Sequence, residues 1–322
     1  MTGVLDVIFD INNLTATIRM ATPIALAAMG GAFSERSGII NIGLEGMILT
    51  GAFCGVLGSY VTGSPWVGVA FAVVGGGLMG AILALFAIRL KADHVVSGVG
   101  LNILALGLTT WLMQVLWKNK GTSVSVNGLP VVSIPGLRDV PIIGTILGTH
   151  SPLVYMMLIL VFLGWVVMFK TPLGLRIRMA GEHPEAADTV GIDVHAVQYF
   201  SVILSGCLAG LGGAYLSLAQ LNWFSMNMSA GRGYMALAAN IFGQWNPLGG
   251  LGASFLFAFT DALQMRIQTS PVKLPSDIIQ MLPYILTILV LAGAVIRSRP
   301  PAALGKHYES GRASCVRVRV RE

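Results

Sequence analysis

Glu45 and Asp261 are acidic residues set inside runs that are otherwise apolar, which makes them the first candidates for chemistry. A carboxylate at membrane depth is expensive, so it faces protein or a watery path and marks a transport route or a tie between helices. Asn41 beside Glu45, and Asn102 and Asn240 further along, are amides in or near apolar runs. Such amides can bind a passing polar solute or glue neighbouring helices together. Covalent catalysis would need a cluster. The histidines at 94, 150, 183, 195 and 307 lie outside the apolar runs without metal-ligand spacing, and Asp261 has no second aspartate at similar depth. The residues therefore fit a transporter rather than an enzyme, with no metal or cofactor held by this chain.

The elements that must position these groups are membrane helices. The chain has 322 residues, 55% of them hydrophobic and 11% charged, against about 25% charged in an ordinary soluble domain. Its mean hydropathy is +0.77. Apolar runs of membrane-crossing length recur along the chain. They are continuous rather than alternating, which excludes a β-barrel; the composition excludes a soluble enzyme, a disordered chain and a disulfide scaffold. The expected fold is all-α and polytopic, with about eight to ten transmembrane helices. Candidate spans cover 14–33, 40–62, 66–88, 95–117, 152–169, 198–219, 232–248, 250–266 and 278–296. Arg19 interrupts the first. The seventh is short and ends in a Pro-Gly break, as a re-entrant segment would. Glycine pairs at 51 and 55, 76 and 80, and 206 and 210 have the spacing that lets helices approach closely. Cys54 and Cys207 lie inside apolar runs and read as small packing residues. The opening MTGVLDVIFD lacks basic residues, so no cleaved signal peptide is expected.

Basic residues set the orientation. One arrangement places 13 of the 20 Lys and Arg residues on the cytoplasmic side, most of them after residue 296. It puts the C-terminus in the cytoplasm and the N-terminus outside. The net charge of +6 follows from this asymmetry and is scattered over loops, so nucleic acid is not an expected partner. The basic tail at 297–322 could lie on anionic membrane lipid.

Residues 170–197 form the main cytoplasmic loop in that arrangement. Pro184 suits the first turn of a helix. Glu182 and Glu185 sit near its positive end, Ala186 and Ala187 favour it, and Gly191 can close it in a left-handed conformation. The result is a stub of about two turns with a slim alanine face, shaped to enter a partner's socket. Glu185-Ala186-Ala187 followed after three residues by Gly191 resembles the EAA-x-x-x-G loop of ABC importer permeases, although the later Ile-x-Leu-Pro part is absent.

Longer blocks extend the resemblance. SERSGIINIGLEGM at 34–47 is similar to a signature of the ribose-type (branched-chain amino acid/ribose) permease family, in the branch that serves nucleosides and simple sugars. GRGYMALAANIFGQWNP at 231–247 resembles a second family block, and PAALGK at 301–306 its C-terminal signature. The likeness covers about residues 15–308 and departs after Tyr308.

The resemblance implies an ABC importer permease fold, with residues 1–296 as the transmembrane domain. It implies coupling to an ATPase through Glu182, Pro184, Glu185, Ala186, Ala187 and Gly191. Asn41, Glu45, Asn102, Asn240 and Asp261 are the candidates for the translocation path. It also implies a cytoplasmic ABC ATPase, a second permease in a heterodimer, and an external substrate-binding lipoprotein of the basic-membrane-protein type. The chain contains no G-x-x-x-x-G-K-[ST] phosphate loop, so ATP is bound by the partner ATPase. The expected function is movement of nucleosides, or related simple sugars, across the inner membrane. The competing class is an ion-coupled secondary transporter of a small polar solute, which needs a midplane ion site and often an inverted repeat.

Overall fold

The computed structural model describes residues 11–133, 148–269, 281, 288 and 299–308. The expected span at 278–296 and the tail beyond residue 308 fall almost wholly outside the described residues. Ten α-helices and a two-residue strand pair are described. α1 is Ile11–Arg36, α2 Leu44–Thr62, α3 Pro65–Ala84 and α4 His94–Trp117. β1 (Val132–Ser133) pairs antiparallel with β2 (Thr149–His150) in the long loop that follows. α5 is Pro152–Lys170, α6 Pro172–Glu182, α7 Pro184–Thr189, α8 Val194–Ala214, α9 Arg232–Phe242 and α10 Pro247–Thr269.

Six helices are long and apolar enough to cross a membrane among the described residues: α1, α2, α3, α4, α5 and α8. They match the first six expected spans, and α1 runs unbroken through Arg19. Two of these spans change character at one end. α3 continues as a π-helical turn over Leu85–Arg89, and α8 over Tyr215–Leu221. α1, α2 and α8 are mostly buried and form the centre, whereas α4 and α5 are mostly exposed at the periphery.

The seventh expected span is not a single crossing helix. α9 has 11 residues, about 16 Å at 1.5 Å per residue, roughly half a hydrocarbon core. The break also falls earlier than the sequence suggests. Gln244 and Trp245 take φ values of 56° and 53° and turn the chain. Pro247 then opens α10, where a fixed φ and a missing N–H cost nothing.

Glycine makes the centre possible. A Cβ on Gly76 would stand 2.2 Å from the carbonyl oxygen of Gly206, and one on Gly206 2.3 Å from that of Gly76. Gly51 would meet the backbone of Gly210 at 2.5 Å. α8 thus lies backbone to backbone with α2 and α3, a packing mode that small residues allow in membranes. Cys54 and Cys207 fill the adjoining space beside Gly75 and Gly77. Gly206→Ala is expected to destabilise the chain by about 1–3 kcal/mol through overpacking. Gly100→Ala on the open face of α4, where a Cβ meets nothing within 4 Å, is expected to be neutral or slightly stabilising. Thermal unfolding of both variants in detergent measures the difference.

Candidate functional site

The loop between α5 and α8 folds as two short helices. Thr171 caps α6, its hydroxyl accepting from the Gly174 N–H at 3.3 Å, with Pro172 in the first turn. His183 breaks the chain with φ −142° and ψ 79°, and Pro184 opens α7. Gly191, at φ +83°, closes the stub by donating its N–H to the Asp188 carbonyl at 3.0 Å. Asp193 then caps α8 through the Ala196 N–H at 3.0 Å.

The two alanines do not share a face. Ala187 is fully buried against Ala180, Val194 and Tyr308, whereas Glu185 and Ala186 are exposed. Consecutive residues lie about 100° apart around a helix, so one alanine anchors the stub and the other is presented. Glu182 ends α6 rather than entering α7. Its carboxylate accepts the Ala302 N–H at 3.1 Å and lies 4.0 Å from the Arg36 guanidinium. An open groove of about 600 Å³ runs between α7 and residues 302–308, with Glu182, Glu185 and Lys306 on its walls.

The turn from α1 to α2 lies beside this loop. Ser34 donates to the Ile39 carbonyl at 2.8 Å and Ser37 to the Ser34 carbonyl at 2.7 Å. Gly38, at φ +97°, completes the turn. Arg36 reaches across to the carbonyls of Trp245 and Gln244 at 3.1 and 3.0 Å. Gln198 of α8 donates to the Ser37 carbonyl at 3.2 Å. The polar residues of the 34–47 block therefore serve first to join α1, α2, α8 and the α9–α10 turn.

The buried acids hold α9 at both ends. Glu45, 8% exposed, accepts the Gly231 N–H at 2.8 Å through Oε1 and the Gly233 N–H at 2.7 Å through Oε2. These N–H groups open α9, where a carboxylate satisfies unpaired donors and meets the positive end of the helix dipole. At the other end Glu35, 2% exposed, accepts from Asn240 Nδ2 at 2.7 Å and from the indole N–H of Trp245. Asn102 accepts the Gly46 N–H at 2.8 Å and donates to the Ile42 carbonyl and the Tyr234 hydroxyl, each at 3.0 Å. Asn41 donates to Ser205 Oγ on α8 at 2.8 Å. Asp261, half-buried on α10, stands apart from this group and has Arg232 as its charged neighbour.

The chain reaches α9 through non-helical residues 222–231. Asn222, Asn227, Ala230 and Gly231 all have positive φ. Phe224 packs edge-on against Phe53 at 5.5 Å. Its carbonyl accepts the Ser123 N–H at 2.8 Å, and the Gly121 carbonyl accepts the Met226 N–H at 2.9 Å. These bonds give partners to irregular backbone that has no helical ladder of its own. Glu35 is the site residue that sequence reasoning passed over. It was visible only as one letter in the 34–47 block, since its partners lie more than 200 positions away.

The site thus combines a broken segment opening on a clasped short helix with an exposed stub between two membrane-crossing helices. The family model described as branched-chain amino acid transport system / permease component matches residues 13–291. The chain belongs to this family. It is a permease component and a multi-pass membrane protein. The guanosine ABC transporter permease protein NupQ of Bacillus subtilis is 41% identical over 309 residues, covering 92% of this chain and 96% of that protein. The nucleoside ABC transporter permease protein NupC of Lactococcus lactis is 39% identical, covering 89% and 93%. TsgC13 of Haloferax volcanii, named as a proposed glucose ABC transporter permease protein, is 35% identical, covering 92% and 96%. Membership in a family of permease components leaves the ion-coupled alternative without support.

In this permease, Glu45→Ala would leave the buried N–H groups of Gly231 and Gly233 without their acceptor. Hydrogen bonds to a charged group are worth about 1.5–3 kcal/mol each. A loss of about 3 kcal/mol is expected for Glu45→Ala, and roughly half of that for Glu45→Gln, which keeps one carbonyl acceptor. Unfolding in detergent, followed by protease access at residues 225–231, checks both the size and the place of the effect.

Proposed function

We propose that the chain is a transmembrane subunit of an ATP-binding cassette importer that carries nucleosides, with related simple sugars as the second substrate class. The observation that carries the machine is α7, a two-turn stub closed by Gly191 and presented between two membrane-crossing helices. The names of NupQ and NupC support the nucleoside, and that of TsgC13 keeps the sugar in view. The partners in this reading are a cytoplasmic ABC ATPase that binds ATP, a second permease forming a heterodimer with this one, and an external substrate-binding lipoprotein.

The ATPase docks on α7, where Glu185 and Ala186 are presented, Ala187 roots the stub, and Pro184, Gly191 and Glu182 set its limits. Residues 302–308 pack on the same loop, so a cytoplasmic α7 brings the C-terminal segment to the cytoplasm as well. Asn41, Glu45 and Asn240 frame the path by holding α2, α8 and α9 together. Asn102 with Tyr234, and Asp261, keep exposure and face the solute. ATP-driven closure of the motor pushes α7, moves the adjoining α1–α2 turn, and through Glu35 and Glu45 shifts α9, which opens the path to alternate sides.

Two measurements test this. Uptake of labelled uridine or adenosine by cells expressing the whole transporter is expected to be competed by unlabelled nucleosides and abolished in an ATPase-null strain. Competition by sugars alone would replace the substrate, and uptake that needs this chain but no ATPase would end the importer reading. Gly191→Pro cannot adopt φ +83° and loses the N–H that closes α7. It is expected to reduce uptake at least tenfold while the chain still reaches the membrane, and normal uptake would remove α7 from the coupling role.

A further inference from the structure

A six-residue helix cannot fix its own attitude. Isolated helices this short are unstable in water, and among the residues of α7 only Ala187 is buried. The direction in which α7 points is therefore set by whatever covers Ala187. The largest side chain in that cluster is Tyr308, 9% exposed, which shares it with Ala180 and Val194 and brings its ring within 5.4 Å of the His195 ring.

Tyr308 arrives there at the end of a short segment that is tied down along its length. Ala302 donates its N–H to the Glu182 carboxylate at 3.1 Å, and Ala303 donates to the Gly181 carbonyl at 2.9 Å. Gly305 donates to the Gly38 carbonyl at 2.9 Å. Its φ of +76° is one that glycine adopts without strain. His307 then sets its ring edge-on to His94 at the start of α4, 5.0 Å away. One stretch of eight residues thus touches the end of α6, the root of α7, the α1–α2 turn and the first residue of α4.

We infer that residues 301–308 are a strap that sets the attitude of α7 and ties it to the α1–α2 turn, with Tyr308 as its positioning residue. The inference rests on the reading of α7 as the ATPase-docking helix. A push on α7 reaches the α1–α2 turn along the strap as well as through the direct contact of Gly181 with Arg36. The same turn begins the block that carries Glu35 and Glu45, the two residues that hold α9. Without the Tyr308 ring, α7 can rock on Ala187. The motor then hydrolyses ATP while delivering less of its movement to the path.

The test uses the complete transporter in proteoliposomes, with its ATPase, second permease and binding protein. The chain carries Val190→Cys, at an exposed position just after α7, in a background whose native cysteines are replaced by alanine. Maleimide labelling at position 190, with and without the ATPase, reports docking. Uridine uptake and ATP hydrolysis, measured together, report coupling. Tyr308→Ala is expected to lower uridine carried per ATP at least fivefold and to weaken the protection of position 190. Tyr308→Phe, which keeps the ring, is expected to lose less than Tyr308→Ala. If Tyr308→Ala fails to accumulate, Ala303→Pro removes one strap hydrogen bond, keeps the ring, and must shift the ratio in the same direction. An unchanged ratio in the variant that assembles overturns the strap. Absence of protection at position 190 with Tyr308 intact instead overturns the docking reading on which the strap rests.

Discussion

The first N–H groups of a helix have no partner within it, and at the start of α9 they are met from another element. Its first donors are met by the two oxygens of Glu45, brought from the opening turn of α2. Much follows from that contact. Gly233 must lack a side chain, because a Cβ there would stand 2.3 Å from the Glu45 nitrogen. Asn102 must bridge the same turn of α2 to Tyr234 on α9. At the far end Glu35 meets Asn240 and Trp245, so the half-helix is pinned between α1 and α2 by hydrogen bonds to two buried carboxyl groups. Ala236 and Ala239 are buried in the core and Phe242 stacks on Phe257 of α10, so apolar packing and directional hydrogen bonds hold the half-helix together.

The rest of the centre is arranged to keep that turn in place. α2, α3 and α8 meet through glycines at backbone distance, leaving little room for them to slide independently. Displacement is easier at the margins, where the regular hydrogen-bond ladder ends. α3 and α8 both finish in π-helical turns, features that often accompany functional sites because they loosen the i to i−4 pattern. The one at Leu85–Arg89 leads towards His94, beside the strap, and the one at Tyr215–Leu221 leads into the broken segment before α9. These two irregular turns thus lie beside the strap and before α9.

The division between centre and periphery has a similar origin. α4 and α5 expose most of their apolar surface in the single chain, and α1, α2 and α8 do not. Exposed apolar surface is costly in water and ordinary in lipid, so the outer pair needs no special account. A buried polar group does need one: Glu35 and Glu45 accept from α9, and the amide nitrogens of Asn41 and Asn240 donate to Ser205 and Glu35, while the oxygens of those two amides have no partner among the described residues.

Hydrophobicity and capping are local properties, and what they determine could be read along the chain. Six of the nine apolar runs fall on helices long and apolar enough to cross a membrane among the described residues. Pro184 and Gly191 bounded α7, because a fixed φ and a freely positive φ act on the residue that carries them. The motif blocks and the missing phosphate loop pointed to a permease driven from outside the chain. Tertiary structure alone decided where the polar groups lead. Glu45 meets residues 186 and 188 positions away, and Glu35 meets residues 205 and 210 positions away. Glu182 left the α7 stub for Ala302 and Arg36, and Ala186 and Ala187 parted to opposite roles once Tyr308 covered one of them. A hydrogen bond depends on distance in space and a burial on what lies opposite, and neither is written in the spacing of one segment.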